Sequence, residues 1–282
     1  MNYRHAFHAG NFADVFKHAV LARIVMHLRV KDAAFRIIDT HAGAGRYNLA
    51  GDEATRGGEW QDGIGRVWQA PFAPEAAALL APYLDVVRAM NAGGPLSVYP
   101  GSPLLIRAWL RPQDRLIACE LESGAAQALH RNLRGDARVK TVAMDGWTAL
   151  MANIPPKERR GLVLIDPPYE EAGELTRLAD AIGAVHRKWQ TGSLLAWYPI
   201  KNTREVTAFV RALSAFPLED ALRIEFIRDA AGPDKLRGSG LIAVNPPWTL
   251  DSELKILLPA LAAALPSAGQ SSIRIERLSG PR

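Results

Sequence analysis

Gly161-Leu162-Val163-Leu164-Ile165-Asp166 runs directly into Pro167-Pro168-Tyr169, and this junction restricts the fold more than any other stretch of the chain. Two consecutive prolines can neither donate to a sheet ladder nor continue a helix, so the apolar run must end where they begin. A run this short and this uniformly apolar reads as a strand buried on both faces, as in parallel sheets covered by helices on either side. Asp166 and Tyr169 then lie on a stiff turn at the carboxyl end of the strand. That is the edge where open α/β sheets take their ligands.

The rest of the chain repeats the theme. Asn11 reads as the cap of a helix over 12–28, with Asp14 in its first turn and Phe12, Val15, Phe16, Ala19 and Val20 on one face. Strands are expected at 35–39, 116–120, 139–145, 161–166, 193–198, 221–226 and 240–245. Helices are expected at 104–110, 124–133, 148–152, 175–188 and 204–216. Alternation of this kind predicts an α/β fold with a doubly wound, mostly parallel sheet. The rhythm fails only over 46–100, where Gly51, Gly57, Gly58, Gly63 and Gly65 precede an Ala-rich helix over Pro74–Met90 and a Gly93-Gly94-Pro95 turn. We read 46–100 as an inserted helical subdomain in a domain made of 1–45 and 101–282, with 1–18 as a segment capping the site.

Four successive strands each end in an acid: Ile38-Asp39, Cys119-Glu120, Met144-Asp145 and Ile165-Asp166. In a parallel sheet these ends lie along one edge. A row of ionised carboxylates is a set of pure acceptors, poorly suited to phosphate and well suited to a cation carrying hydroxyl and amine donors. S-adenosylmethionine, with its sulfonium, ribose diol and adenine amine, meets that description better than a pyrophosphate-bearing dinucleotide. A dinucleotide fingerprint would also need a third glycine where Asn48 stands.

These segments resemble methyltransferase motifs in order. Asp166-Pro167-Pro168-Tyr169 resembles the signature of amino-group methyltransferases. There the carboxylate and first proline carbonyl accept from an exocyclic amine, and the aromatic ring stacks on its base. Asp39-Thr40-His41-Ala42-Gly43-Ala44-Gly45 resembles the first cofactor motif, Glu120 the acid that grips the ribose, and Asp145-Gly146 the adenine-binding motif. Asn245-Pro246-Pro247-Trp248 also resembles a catalytic tetrapeptide. Order favours Asp166, because the catalytic tetrapeptide of this fold follows the fourth strand, and Asn245 is then expected to be a strand-exit turn.

The composition agrees. With 282 residues, 48% hydrophobic and 22% charged, the chain can bury a large core, and a net charge of +5 leans toward an acidic partner such as nucleic acid. The single cysteine, Cys119, fits a reducing compartment. Met1-Asn2-Tyr3-Arg4-His5 has no apolar core of a secretory signal. The apolar stretch 256–265 is too short for a membrane span and is interrupted by Pro259. A cytoplasmic protein without a membrane segment is expected. His5, His8, His18 and His41 lack the spacing and thiol partners of a metal site, so no metal is expected.

The amino-terminal block Tyr3-Arg4-His5, His8-Ala9-Gly10-Asn11, Asp14-Val15 and Lys17-His18 completes the pattern. With 39–46, 100–103, Asp166–Tyr169, Trp197-Tyr198-Pro199 and Asn245–Trp248, it closely resembles the RlmJ family, bacterial 23S ribosomal RNA adenine-N6 methyltransferases. The resemblance implies a monomeric, Rossmann-like class I methyltransferase with a small helical insertion, acting on free rRNA. Carried over residue by residue, His18, His41, Ser102, Glu120, Asp145, Gly146 and Asp166 would hold S-adenosylmethionine. Asp166, Pro167, Tyr169 and Lys17 would serve catalysis, with Asp166 the proton acceptor, and Tyr3 and His5 would meet the RNA. Phe12 departs from the polar residue common there in the family. The competing readings are an adenine-N6 methyltransferase of DNA, a protein glutamine methyltransferase, and a non-catalytic RNA-binding protein that kept the fold.

Overall fold

A computed structural model describes residues 4–228, 236–267, 269 and 271–278. A 3-10 turn over His5–Phe7 leads into α1 (Phe12–Val30), β1 (Arg36–Asp39) and β2 (Arg46–Asn48). Three helices follow, α2 (Asp52–Gly57), α3 (Ile64–Val67) and α4 (Pro74–Met90), then β3 (Val98–Pro100) and α5 (Ser102–Trp109). The alternating part comprises β4 (Arg115–Glu120), α6 (Ser123–Leu133), β5 (Val139–Ala143), α7 (Gly146–Asn153), β6 (Gly161–Ile165), α8 (Glu174–Lys188), β7 (Ser193–Ile200) and α9 (Thr203–Leu213). It closes with β8 (Ala221–Ile227), β9 (Gly238–Val244), α10 (Leu250–Ala264) and β10 (Ser272–Leu278).

Eight strands form one sheet in the order β10-β8-β9-β7-β6-β1-β4-β5. From β5 to β7 every neighbour is parallel, whereas β9 is antiparallel to both β7 and β8, and β10 is antiparallel to β8. The pleat sends successive side chains to opposite faces, and both faces are covered. Ile37, Leu162, Leu164 and Leu195 join one core cluster with α1, α4, α5, α6 and α10. Ile38, Val163, Ile165 and Ala196 join a second cluster with α7, α8 and α9. Double burial explains why these strands read as unbroken apolar runs.

Three features depart from the sequence expectation. Residues 46–100 are not purely helical, because β2 and β3 pair into a two-stranded antiparallel ribbon that joins the start and end of the segment. Three-residue strands flanked by glycines give too short a pattern to find. The edge strand β10 escaped notice because it carries Arg274, Glu276 and Arg277, charges that suit an edge and mask its alternation. Pro259 does not interrupt the last apolar stretch: α10 runs through it. Five buried leucines (Leu250, Leu254, Leu257, Leu258 and Leu261) seat that helix on the core, and this packing outweighs the amide lost at an exposed proline. Among the described residues no helix is long and apolar enough to cross a membrane.

Pro259→Ala should therefore stabilise the protein, by up to about 3 kcal/mol, since alanine restores a donor for the Lys255 carbonyl without touching the buried face. Chemical denaturation of the two proteins tests this; a lower midpoint for the alanine variant would show that α10 depends on a proline-set bend.

Candidate active site

The carboxyl ends of β1, β4, β5 and β6 open into a cleft of about 550 Å³ on the parallel side of the sheet. His5, Lys17, His18, His41, Ser102, Glu120, Asp145, Gly146, Asp166 and Pro167 all line it. Tyr169 does not: its ring meets Trp197 edge-on at 5.4 Å and its hydroxyl donates to the Trp197 carbonyl at 2.5 Å. Tyr3 lies outside the described residues.

After β1 the chain must reverse quickly, and Gly43 and Gly45 adopt φ of +60° and +77°, a region that side chains disfavour. The loop is tied down by Glu120, whose Oε2 accepts from the Gly43 amide at 2.8 Å while Oε1 accepts from the Glu122 amide at 2.8 Å. Asp145 caps α7, with Oδ2 accepting from both the amide and the hydroxyl of Thr148. Both bonds fall on one oxygen, so Oδ1 is available to an incoming donor. Gly146 follows, and a Cβ there would stand 2.1 Å from the Thr40 carbonyl oxygen, so only glycine lets β5's exit press against the β1 loop.

Asp39 is fully buried and accepts from the Ser102 hydroxyl at 2.7 Å, while its Oδ1 has no hydrogen-bond partner. Burial pushes its carboxyl up to about 7, against the pull of the Ser102 hydrogen bond and with help from the nearby Asp166 charge. Ser102 has one proton and gives it to Asp39, so its oxygen faces the cleft as an acceptor.

The most constrained group is Lys17. Its ammonium is buried and donates to Asp14 Oδ1 at 2.9 Å and, by a short contact, to Asp166 Oδ2. Burial alone would lower the lysine, but the two carboxylates raise it well above its ordinary value and keep it charged. Asp14 is equally buried. Burial would raise it, yet Lys17 and His5 hold it well below the usual carboxylate range. Its Oδ2 also accepts from the Gly10 amide at 2.9 Å and meets His5 Nε2 at 3.0 Å. The spacing of Asp14 three residues before Lys17 was the available signal for this ion pair.

Two histidines in the cleft are neutral. Burial drives His18 down to about 3 despite nearby Asp14, and its Nδ1 lies 2.7 Å from the Tyr99 hydroxyl, which in turn meets Tyr83 at 2.9 Å. Burial likewise takes His41 down to about 4, and its ring stands edge-on to Trp147 at 5.3 Å. Arg177 stacks on Trp147 at 4.8 Å. Neither Trp147 nor Arg177 was singled out from sequence, where each is an ordinary helix residue.

Asn245 is separated from all of this. Because β9 runs against β7, its exit lies beside Ser193, at the edge opposite the cleft. The Asn245 side chain donates to the Gln190 and Gly192 carbonyls, which makes it the strand-exit turn expected.

Residues 32–277 match the family model described as ribosomal RNA large subunit methyltransferase D, RlmJ. The chain is 38% identical to ribosomal RNA large subunit methyltransferase J of Haemophilus influenzae over 278 residues, 98% of either chain. To the protein of the same name from Escherichia coli it is 40% identical over 273 residues, 95% of either chain. A crystal structure of the Legionella pneumophila protein LPL1258 superposes with a TM-score of 0.87 at 35% identity, covering 96% of this chain and 98% of that one.

Asp39→Asn isolates the buried carboxyl. A folded pKa of about 7 against 3.8 for the free group means that the contribution of Asp39 to stability is fully present below about pH 4 and is lost as pH rises to about 7. Asparagine accepts the Ser102 bond without titrating. Its stability relative to wild type should therefore increase between about pH 5 and pH 8 in urea denaturation, and a flat difference would place the charge of Asp39 elsewhere.

Proposed function

The chain belongs to the RlmJ family of ribosomal RNA large subunit methyltransferases, and from that premise we propose that it transfers the methyl group of S-adenosylmethionine to N6 of an unpaired or flipped adenine in free 23S rRNA. The enzyme is an S-adenosylmethionine-dependent rRNA methyltransferase. The observation that carries the finer reading is the buried Lys17 ammonium against Asp166, just past the end of β6, inside a cleft shared with the strand-end acids Glu120 and Asp145.

The cleft suits this cosubstrate. When bound, S-adenosylmethionine supplies an electrophilic methyl on a sulfonium. Glu120 would accept from the ribose hydroxyls, using the second lone pairs of oxygens already engaged by backbone amides. Asp145 Oδ1 would accept from the adenine amine beside Gly146. Ser102, with its proton committed to Asp39, would accept from the ammonium of the amino-acid end. His18 and His41 would bind as neutral rings, adding no positive charge to repel a cation.

Asp166 and the Pro167 carbonyl would accept the two N–H bonds of the target amine. An aromatic amine is a poor nucleophile because its lone pair is delocalised into the ring. Holding both hydrogens out of the ring plane returns electron density to nitrogen, and fixed acceptors do so without reorganisation. Lys17 would keep Asp166 aimed at the amine, and Asp166 would take up the proton released after transfer. A base stacked in a duplex cannot reach the end of β6, so the adenine must arrive unpaired or flipped. Tyr169, paired with Trp197, would form the aromatic wall beside that base, and His5 with Tyr3 would meet the RNA at the mouth of the cleft.

Transfer of labelled methyl to protein-free 23S rRNA, assayed beside ribosomal subunits and duplex DNA with digestion to nucleosides, tests the proposal. Label in N6-methyladenosine from free rRNA is expected; label confined to DNA or protein would overturn the substrate. Asp166→Asn should lower kcat by about 10²–10⁴. A variant with undiminished kcat would remove Asp166 from the chemistry.

A further inference from the structure

The two halves of the sheet end at different heights. Ile165, the last residue of β6, pairs with Ala196, and β7 then continues to Ile200. Four extra residues lift the end of β7 roughly 13 Å above the end of β6. β9 and β8 rise with it: Gly238 pairs with both Ile200 and Ile227. The Arg237 amide donates to the Ile200 carbonyl at 2.9 Å, and the Arg228 amide to the Arg237 carbonyl at 2.7 Å. These bonds set Lys201, Arg237 and Arg228 side by side on three adjacent strand ends, about 4.8 Å apart.

None of these cations is held in an ion pair among the described residues, although Asp62 acts on Arg228 from a distance and Glu205 lies in the first turn of α9. Lys201, Arg204 and Arg237 are exposed and form no ion pair. Arg228 lies over the Phe12 ring at 4.5 Å, and its buried Nε has no acceptor. Lys201 and Arg204 also flank the start of α9, which Asn202 caps through the Arg204 amide. A helix start disfavours cations and favours anions, so the folded protein keeps two positive charges where a phosphate would relieve them.

The remainder of the site is charged the other way. Glu120, Glu122, Glu170, Glu171 and Glu174 line the cleft and outnumber the arginines there, Arg4 and Arg177. At the opposite edge of the sheet the arginines serve the fold. Arg111 and Arg160 donate to the carbonyls of Leu28, Arg29, Lys31 and Ala33, and Arg107 and Arg138 are bound to Asp136. A polyanion is repelled on one side of Asp166 and attracted on the other.

We propose that the raised rim formed by Lys201, Arg204, Arg228 and Arg237 carries the phosphate backbone of the single-stranded RNA flanking the target adenine. The inference rests on the reading of the substrate as RNA. Beneath the rim the Trp197 ring lies 6.0 Å from the Lys17 ammonium and meets Tyr169 edge-on, so a strand held at the top would pass this aromatic pair on its way to Asp166.

The test compares wild type with Lys201→Ala/Arg204→Ala/Arg237→Ala, and with a control, Lys31→Ala/Arg134→Ala/Lys157→Ala, that removes three exposed cations from the opposite edge. Affinity for protein-free 23S rRNA is measured across a salt series, alongside kcat at saturating RNA, the cofactor Kd and thermal unfolding. The rim variant should bind 10- to 100-fold more weakly at low salt. The slope of log K against log salt should flatten by about 2, as expected for three phosphate contacts on a single strand. Its kcat, cofactor Kd and unfolding should match wild type, and Lys201→Arg/Arg204→Lys/Arg237→Lys should restore the slope. An unchanged slope in the rim variant, or an equal loss in the control, would overturn the rim as the RNA track. Wild type that neither binds nor methylates RNA would instead overturn the substrate reading on which it rests.

Discussion

Everything in the cleft is arranged around one buried ammonium. Lys17 sits between Asp14 and Asp166, and a lone charge in such surroundings would be prohibitively costly without both partners. The arrangement fixes three parts of the chain at once. Asp14 and Lys17 are one turn apart on α1, Asp166 ends β6, and Asp14 also holds the Gly10 amide and His5. The amino-terminal block is thereby locked over the sheet edge rather than left as a tail. Residues 46–100 secure the same block from outside. Ile64 donates to the Gly10 carbonyl, Glu59 bonds His8 and Asn11, and Glu53 pairs with Arg4. Gly63 packs so closely that a Cβ would lie 2.1 Å from the Gly10 oxygen.

The sheet divides the work by strand direction. Its parallel portion gathers four carboxyl ends into one edge and so concentrates acceptors. Its antiparallel portion, β7 through β10, places alternate ends at that edge. It therefore contributes height, aromatic surface and cations instead of a fifth acid. The reversal at β9 also accounts for the two proline-proline turns: one opens toward the cleft, and the other, at Asn245, faces away.

Much of this could be read before any coordinates. The apolar runs before Asp39, Glu120 and Asp166 located their strands because double burial leaves an unbroken apolar signal, whereas β5, an edge strand with no buried residue, stops at Ala143 and leaves Asp145 to cap α7. Asn11 announced α1, and its side chain does accept from the Ala13 and Asp14 amides. What sequence did not show has physical reasons. β2 and β3 are held by a register of three pairs, too few for a pattern. In α10, packing of five leucines overrides a proline that local propensity treats as a stop. The keystone role of Asp14 depends on partners three, four and nine residues away as well as on one 149 residues distant through Lys17. The orientation of Tyr169 depends on Trp197, which joins it only through sheet pairing.

The row of strand-end acids has a consequence for turnover. With His18 and His41 uncharged, the field in the cleft is set by the carboxylates that line it, Glu120, Asp145 and Asp166. On the reading proposed above, such a field would grip a sulfonium and have a weaker hold on a neutral thioether of nearly the same shape. Methyl transfer converts the first into the second, so the reaction itself would withdraw the charge by which the spent cosubstrate was held. The acids proposed to admit the ligand would thus also time its departure.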